Sequence, residues 1–196
     1  MSSGEQSFEQ LLSKARFLRQ QGQNKKAIET YRQALELDDS NIDALNEMGM
    51  VHIHIGEQSL AIVAFDLAIS VQPHDPRAYS NKAEAYLTMG SFEDALEVTT
   101  EGLKNIKDNA GIWSKRARAL ESLFKIDEAI VAYNEALKLN SENPEIWKAL
   151  ALCMDALEMW DEVARAYEIA ASLHERRGEN QDAESCRKFA ELAKRS

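Results

Sequence analysis

The chain has 196 residues, of which 44% are hydrophobic and 29% charged, with 8 glycines, 3 prolines and a formal net charge of -10. That apolar share is too high for a disordered chain, and so few turn residues cannot supply the many short loops of an all-β fold. The acidic balance argues against nucleic-acid phosphates and anionic membranes as main partners, since both recruit basic surfaces.

The opening residues, Met1 to Gln6, lack the basic and apolar regions of a secretory leader, and Ser2 stands where myristoylation needs glycine. No apolar run approaches the roughly 18 residues of a membrane span. Cys153 and Cys186 are too few and too far apart for a disulfide framework, so the chain reads as cytoplasmic.

After a tail of residues 1–7, five units of 34 residues follow without insertion: 8–41, 42–75, 76–109, 110–143 and 144–177. In the first, Ser7 is placed to cap a helix, Leu11 and Ala15 fall four and eight places into it, and Gly22 ends it. Ala27, Ile28, Tyr31, Ala34 and Leu35 then recur at helical spacing, so each unit predicts two helices and no strand. The second unit repeats the plan with Asn41, Leu45, Gly49 and Gly56, then Ala61, Phe65 and Ala68, and closes with Pro73. The third has Asp75 before Pro76, then Tyr79, Ala83 and Gly90, followed by Ala95, Thr99 and Gly102, with Thr99 the weakest core position. The fourth has Asn109, Trp113 and Ala117, but Phe124 in place of the helix-ending glycine, then Ala129, Tyr133 and Ala136. The fifth has Asn143, Pro144, Trp147 and Ala151, Glu158 in the glycine place, then Val163, Tyr167 and Ala170. Small residues thus recur where helix backbones must approach, and large ones where knobs must fill them.

Beyond Leu173 the frame changes, and apolar places resume at Cys186, Phe189, Ala190 and Ala193. Residues 178–196 therefore predict one amphipathic helix that either seals the last unit against water or docks onto another copy.

Small at eight and twenty-seven, alanine at twenty, large at four and aromatic at twenty-four, over 34 residues, resembles the tetratricopeptide repeat, and the resemblance spans 8–177. It implies an all-α fold, an α-solenoid of five helix-turn-helix units with a C-terminal capping helix, whose function is to bind another protein. In this family the concave face of the first helices commonly meets the ligand through places two, five, six, nine, twelve and thirteen. Carried onto this chain, those places hold Arg16, Arg19, Asn46, Met50, Ile53, Arg77, Asn81, Glu84, Leu87, Lys115, Arg118, Lys148 and Leu152. Met50, Ile53 and Leu87 suggest an apolar stripe within a lining of mixed charge.

The family's carboxylate clamp is matched only in part: Asn81 and Lys115 fall in its places, while Asn46, Met50 and Gly111 stand where it needs lysine, asparagine and lysine. A peptide carboxylate would then lack most of its charge-assisted bonds. No phosphate-binding loop, zinc-protease pair or nucleophile elbow occurs. His52 and His54, two apart on a helix, point to nearly opposite sides and cannot share an ion, and Cys153 reads as a small core residue. No cofactor or metal is expected and no enzyme is indicated. The expected role is a monomeric adaptor holding a peptide or helix of a partner protein. A self-assembling scaffold, a non-catalytic subunit of a larger complex and a chaperone-associated protein with a degenerate clamp stand as alternatives.

Overall fold

The computed structural model describes residues 7–196, so that the expected tail of residues 1–7 lies outside the described residues except for Ser7. Along them run eleven helices and no strand: α1 (Phe8–Gln20), α2 (Asn24–Leu37), α3 (Ile42–His54), α4 (Gln58–Val71), α5 (Pro76–Met89), α6 (Phe92–Asn105), α7 (Ala110–Ser122), α8 (Ile126–Leu139), α9 (Pro144–Asp155), α10 (Trp160–Arg176) and α11 (Asn180–Ala193). They form two compact units, α1–α5 up to Ser91 and α6–α11 from Phe92, the division falling inside the segment 76–109.

Each odd-numbered helix from α1 to α9 begins where a polar side chain satisfies a free backbone N–H of the first turn. Ser7 accepts from Gln10, Asn41 from Ala44, Asp75 from Arg77, Asn109 from Ile112 and Asn143 from Glu145. Within each helix pair the connection is a tight left-handed turn, with φ of 70° at Gly22, 82° at Gly56 and 76° at Gly90. Phe124 and Glu158 adopt the same conformation at 58° without being glycine. In all five turns the next N–H reaches back to a carbonyl of the preceding helix, as from Lys125 to Leu120 at 2.9 Å and from Met159 to Met154 at 3.1 Å. The turn is therefore dictated by these hydrogen bonds and by the packing of the two helices, and glycine only relieves its cost.

In the N-terminal unit, Leu12, Ala15, Ala27, Ile28 and Tyr31 pack with Ala44 and Val51 of α3. Further along, Leu45 meets Ala68 and Ala78. Gly49 is set by close approach, because a Cβ there would lie 2.5 Å from the Phe65 ring. In the C-terminal unit, Ala117, Leu120, Ala129 and Tyr133 join Ile146, Leu150 and Cys153. Thr99 is fully buried, and its hydroxyl donates to the carbonyls of Ala95 and Leu96 at 2.9 and 3.0 Å, which makes a polar residue tolerable in that core place.

α10 runs to Arg176, and Leu173 and His174 are buried although the segment beyond Leu173 is mostly polar and charged. The α10–α11 turn repeats the within-pair geometry, with Gly178 at φ 76° and the Glu179 N–H bonded to the His174 carbonyl at 2.9 Å. Counted from Ala164, the repeat pattern reappears as Tyr167, Ala171, Gly178, Ala183 and Ala190, so α10 is the second helix of one pair and the first of another. Cys186, Ala190 and Ala193 pack into the cluster with Ala166, Ala170 and Ala171, whereas Phe189, expected on the buried side, is 52% exposed and stacks on Tyr167 at 5.3 Å. The turns after α3 and α10 share a further clip. The buried rings of His52 and His174 each place Nδ1 against the glutamate that follows the glycine, 2.7 Å from Glu57 and 2.6 Å from Glu179.

A left-handed conformation is costly for a residue with a Cβ, and glycine carries its own entropic cost, so Phe124→Gly and Glu158→Gly should each stabilise the protein by about 0.5–1 kcal/mol. A urea midpoint that falls in either variant would contradict this assignment. Ending the chain after Gly178 should expose the alanine-rich side of α10 and lower both melting temperature and solubility; an unchanged melting temperature with a monodisperse product would refute a sealing role for α11.

Candidate functional site

The expected ligand-contacting residues lie on the first helices, and the two compact units treat them differently. In the N-terminal unit several are already spent on tying those helices together. Arg16 of α1 grips Glu47 of α3 through both carboxylate oxygens at 2.7–3.0 Å, and the Tyr31 hydroxyl donates to the same carboxylate at 2.8 Å. Arg77 of α5 binds Asp43 of α3 and its own cap Asp75, each at 2.7 Å. Asn81 donates to Asn46 at 3.4 Å, and Asn46 donates to the Ile42 carbonyl at 3.0 Å.

Two expected contacts are therefore corrected. Asn46 is 4% exposed, drawn in by its bond to the helix backbone, and Leu87 is 9% exposed, an apolar side chain absorbed by the core. Ile53 is also partly withdrawn, packed on Ala61, Phe65 and Ala85. The expected apolar stripe reduces at the surface to Met50, 40% exposed, with Arg19 open to solvent beside α1's last turn. Glu84 on α5 is half-buried.

In the C-terminal unit, α7 and α9 border a cleft of about 420 Å³. Lys115 and Arg118 line it, together with Ser114, Glu121, Tyr133, Asn143, Glu145, Ile146 and Ala149. Lys148 turns along α9 to Glu145 at 3.0 Å, and Leu152 projects into solvent at 55% exposure. Among the lining residues outside the expected set, Tyr133 is the one whose chemistry was misjudged. Its ring sits in the aromatic place of the second helix and reads as a core knob, but its hydroxyl emerges into the cleft and donates to Glu121 at 2.7 Å. The signal available was the residue type, because a buried tyrosine needs a partner for its hydroxyl where phenylalanine does not. The Asn81 and Lys115 positions of the partial clamp fall in different compact units.

The electrostatics follow from burial and these bonds. Burial pushes the Glu47 carboxyl up, but the bonds from Arg16 and Tyr31 outweigh it and hold the group below the usual carboxylate range. Asp75 is likewise lowered, its desolvation outweighed by Arg77. Burial, then the bond to Glu121, raises the Tyr133 phenol; burial, then the Glu121 charge, pushes the Cys153 thiol up to about 12. Burial also raises Cys186, so neither thiol has the lowered pKa of a reactive cysteine. Among the described residues, His174, Glu179 and Asp182 bring their ligand atoms within 4.8 Å of one another, but the same histidine–glutamate clip at His52 and Glu57 accounts for that pairing without an ion.

The geometry defines a class of protein: an α-solenoid of helix pairs carrying adaptable side chains on its first helices, with no helix among the described residues long and apolar enough to cross a membrane. A model of the tetratricopeptide repeat matches residues 15–56 and 125–154, in keeping with the solenoid of helix pairs. It is similar to TTC0263, a thermophilic tetratricopeptide protein of Thermus thermophilus, with a TM-score of 0.75 and 21% identity over 95% of this chain and 100% of that one. It is similar to MamA, with a TM-score of 0.71 and 19% identity over 84% of this chain and 96% of the other. It also resembles a structure of the APC/C hetero-tetramer Cut9–Hcn1, with a TM-score of 0.72 and 19% identity over 93% of this chain and 36% of that chain. At these identities the likeness is one of fold. No curated protein sequence matches the chain.

A carboxylate with a lower pKa in the folded than in the unfolded state stabilises the fold above the usual carboxylate range, and that contribution disappears as pH falls through the folded value. Glu47→Gln should therefore cost about 1 kcal/mol at pH 7, a modest figure because the Arg16 side chain is 40% exposed. The gap between variant and parent in urea unfolding should close as pH drops below the usual carboxylate range. A gap that stays constant down to the acid transition would show that the Arg16–Glu47–Tyr31 network is not its source.

Proposed function

We propose that this protein is a non-catalytic adaptor that holds a peptide or helical segment of another protein against the concave, first-helix face of its repeats, within the cytoplasm. The observation that carries the reading is the cleft between α7 and α9, where Lys115, Arg118, Glu121 and Tyr133 of one helix pair face Glu145 and Ala149 of the next. Polar groups of both signs around a volume of about 420 Å³ suit a folded-over segment of chain with its own polar side chains, and suit an acidic tail poorly. Met50 in the N-terminal unit, flexible and 40% exposed, adds an adaptable apolar contact. Two buried thiols with raised pKa are in keeping with a reducing compartment.

The test begins with affinity capture of the native partner from extract, followed by calorimetry on the purified pair. Arg118→Glu and Met50→Glu, made separately, should each weaken binding by about 1–3 kcal/mol if they meet the ligand, with circular dichroism unaltered. Glu29→Lys, on the exposed side of α2, should change binding little. Parental affinity in both groove variants would move the contact to the outer helices or to α11.

A further inference from the structure

The outer face of α4 carries more apolar surface than the repeat fold requires. Leu60, Val63, Leu67 and Val71 are 47%, 57%, 51% and 44% exposed, and their spacing puts them on one side of the helix. On α2 and α6 the first three of these places are solvent-exposed too, but there they are polar: Lys26, Glu29 and Gln33 on α2, and Asp94, Glu97 and Glu101 on α6. In α8 and α10 two of the three are charged. Packing within the array therefore leaves the choice at these places open, and α4 alone fills all of them with aliphatic side chains.

We propose that this stripe is a self-association surface, on which α4 of a second copy of the chain lies antiparallel across a two-fold axis. Two features select a second copy as the occupant. From one end to the other the stripe reads Leu, Val, Leu, Val. Reversing one copy sets Leu60 beside Val71 of the second copy and Val63 beside its Leu67, so a larger side chain meets a smaller one at every level. The helix also carries one ionisable side chain in fourteen residues, Asp66, and Lys82 of α5 already binds it at 2.6 Å. Two such helices can meet without setting like charges against each other, although the chain as a whole has a net charge of -10. An isologous contact of this kind closes on itself and produces a dimer, not a filament. The stripe runs about 16 Å along the helix, shorter than a standard interface, so the dimer is weak and forms with rising concentration. This surface lies on a second helix, apart from the first-helix face proposed to hold the partner, and its test does not involve that partner.

Sedimentation equilibrium of the full chain, from micromolar to millimolar in about 0.15 M salt, should show mass rising from 22.1 kDa towards twice that value. Val63→Glu replaces an exposed side chain, so the fold should stand while the dissociation constant rises tenfold or more. Combining Val63→Glu with Leu67→Lys places each introduced carboxylate opposite an introduced ammonium of the second copy, and should restore dimerisation. A chain that stays at 22.1 kDa throughout, a Val63→Glu variant that dimerises like the parent, or a double variant that remains monomeric overturns the proposal.

Discussion

The structure depends on how closely two helix backbones can approach. At places eight, twenty and twenty-seven of each 34-residue unit the residue is alanine, glycine or, once, valine, and the alanines there are fully buried. At Gly49 the space so created is taken by the Phe65 ring, 2.5 Å from where a Cβ would stand. Because an added methylene cannot be absorbed at such a contact, the small residues set the interhelical distances, and the large ones then have one place to go. Caps, turns and surface follow from helices held at those separations.

One consequence is the state of the first-helix face. Helices drawn this close bring Arg16 within bidentate reach of Glu47, Arg77 within reach of Asp43, and Asn81 against Asn46. These bonds convert what would be free binding groups into struts of the N-terminal unit. The C-terminal unit keeps an open cleft between α7 and α9, with Tyr133 and Glu121 bonded in its wall. Under the proposed function, polar groups already oriented by the protein lower the ordering cost of binding there.

The chain's end shows the same packing rule applied economically. Ala166, Ala170 and Ala171 of α10 share one cluster with Ala151 of α9 and Cys186 and Ala190 of α11, and so α10 serves in two helix pairs. α11 then presents Glu184, Arg187, Lys188 and Glu191 outward, all exposed, with Phe189 and Leu192 exposed among them. Among the second helices, α4 stands apart because aliphatic side chains fill all three outer places where its sister helices carry two or three polar ones.

The sequence by itself determined the repeat length, the helix starts and the buried positions, because each depends on local chemistry: a cap residue, a small residue at a fixed interval, or an aromatic at another. The left-handed turns at Phe124 and Glu158 were not legible, since no glycine marks them and only the packed helices on either side impose that conformation. The double role of α10 was hidden for a related reason, because one stretch of residues satisfies two overlapping frames and only the presence of α11 shows the second. Nor could the candidate site be read beyond the places where Lys115 and Arg118 fall. Whether an arginine or asparagine on a first helix is open to a ligand or bonded to the next helix depends on distances of about 3 Å between residues some thirty-five apart in sequence, as in Arg16–Glu47 and Asn46–Asn81, and those are decided by tertiary packing alone.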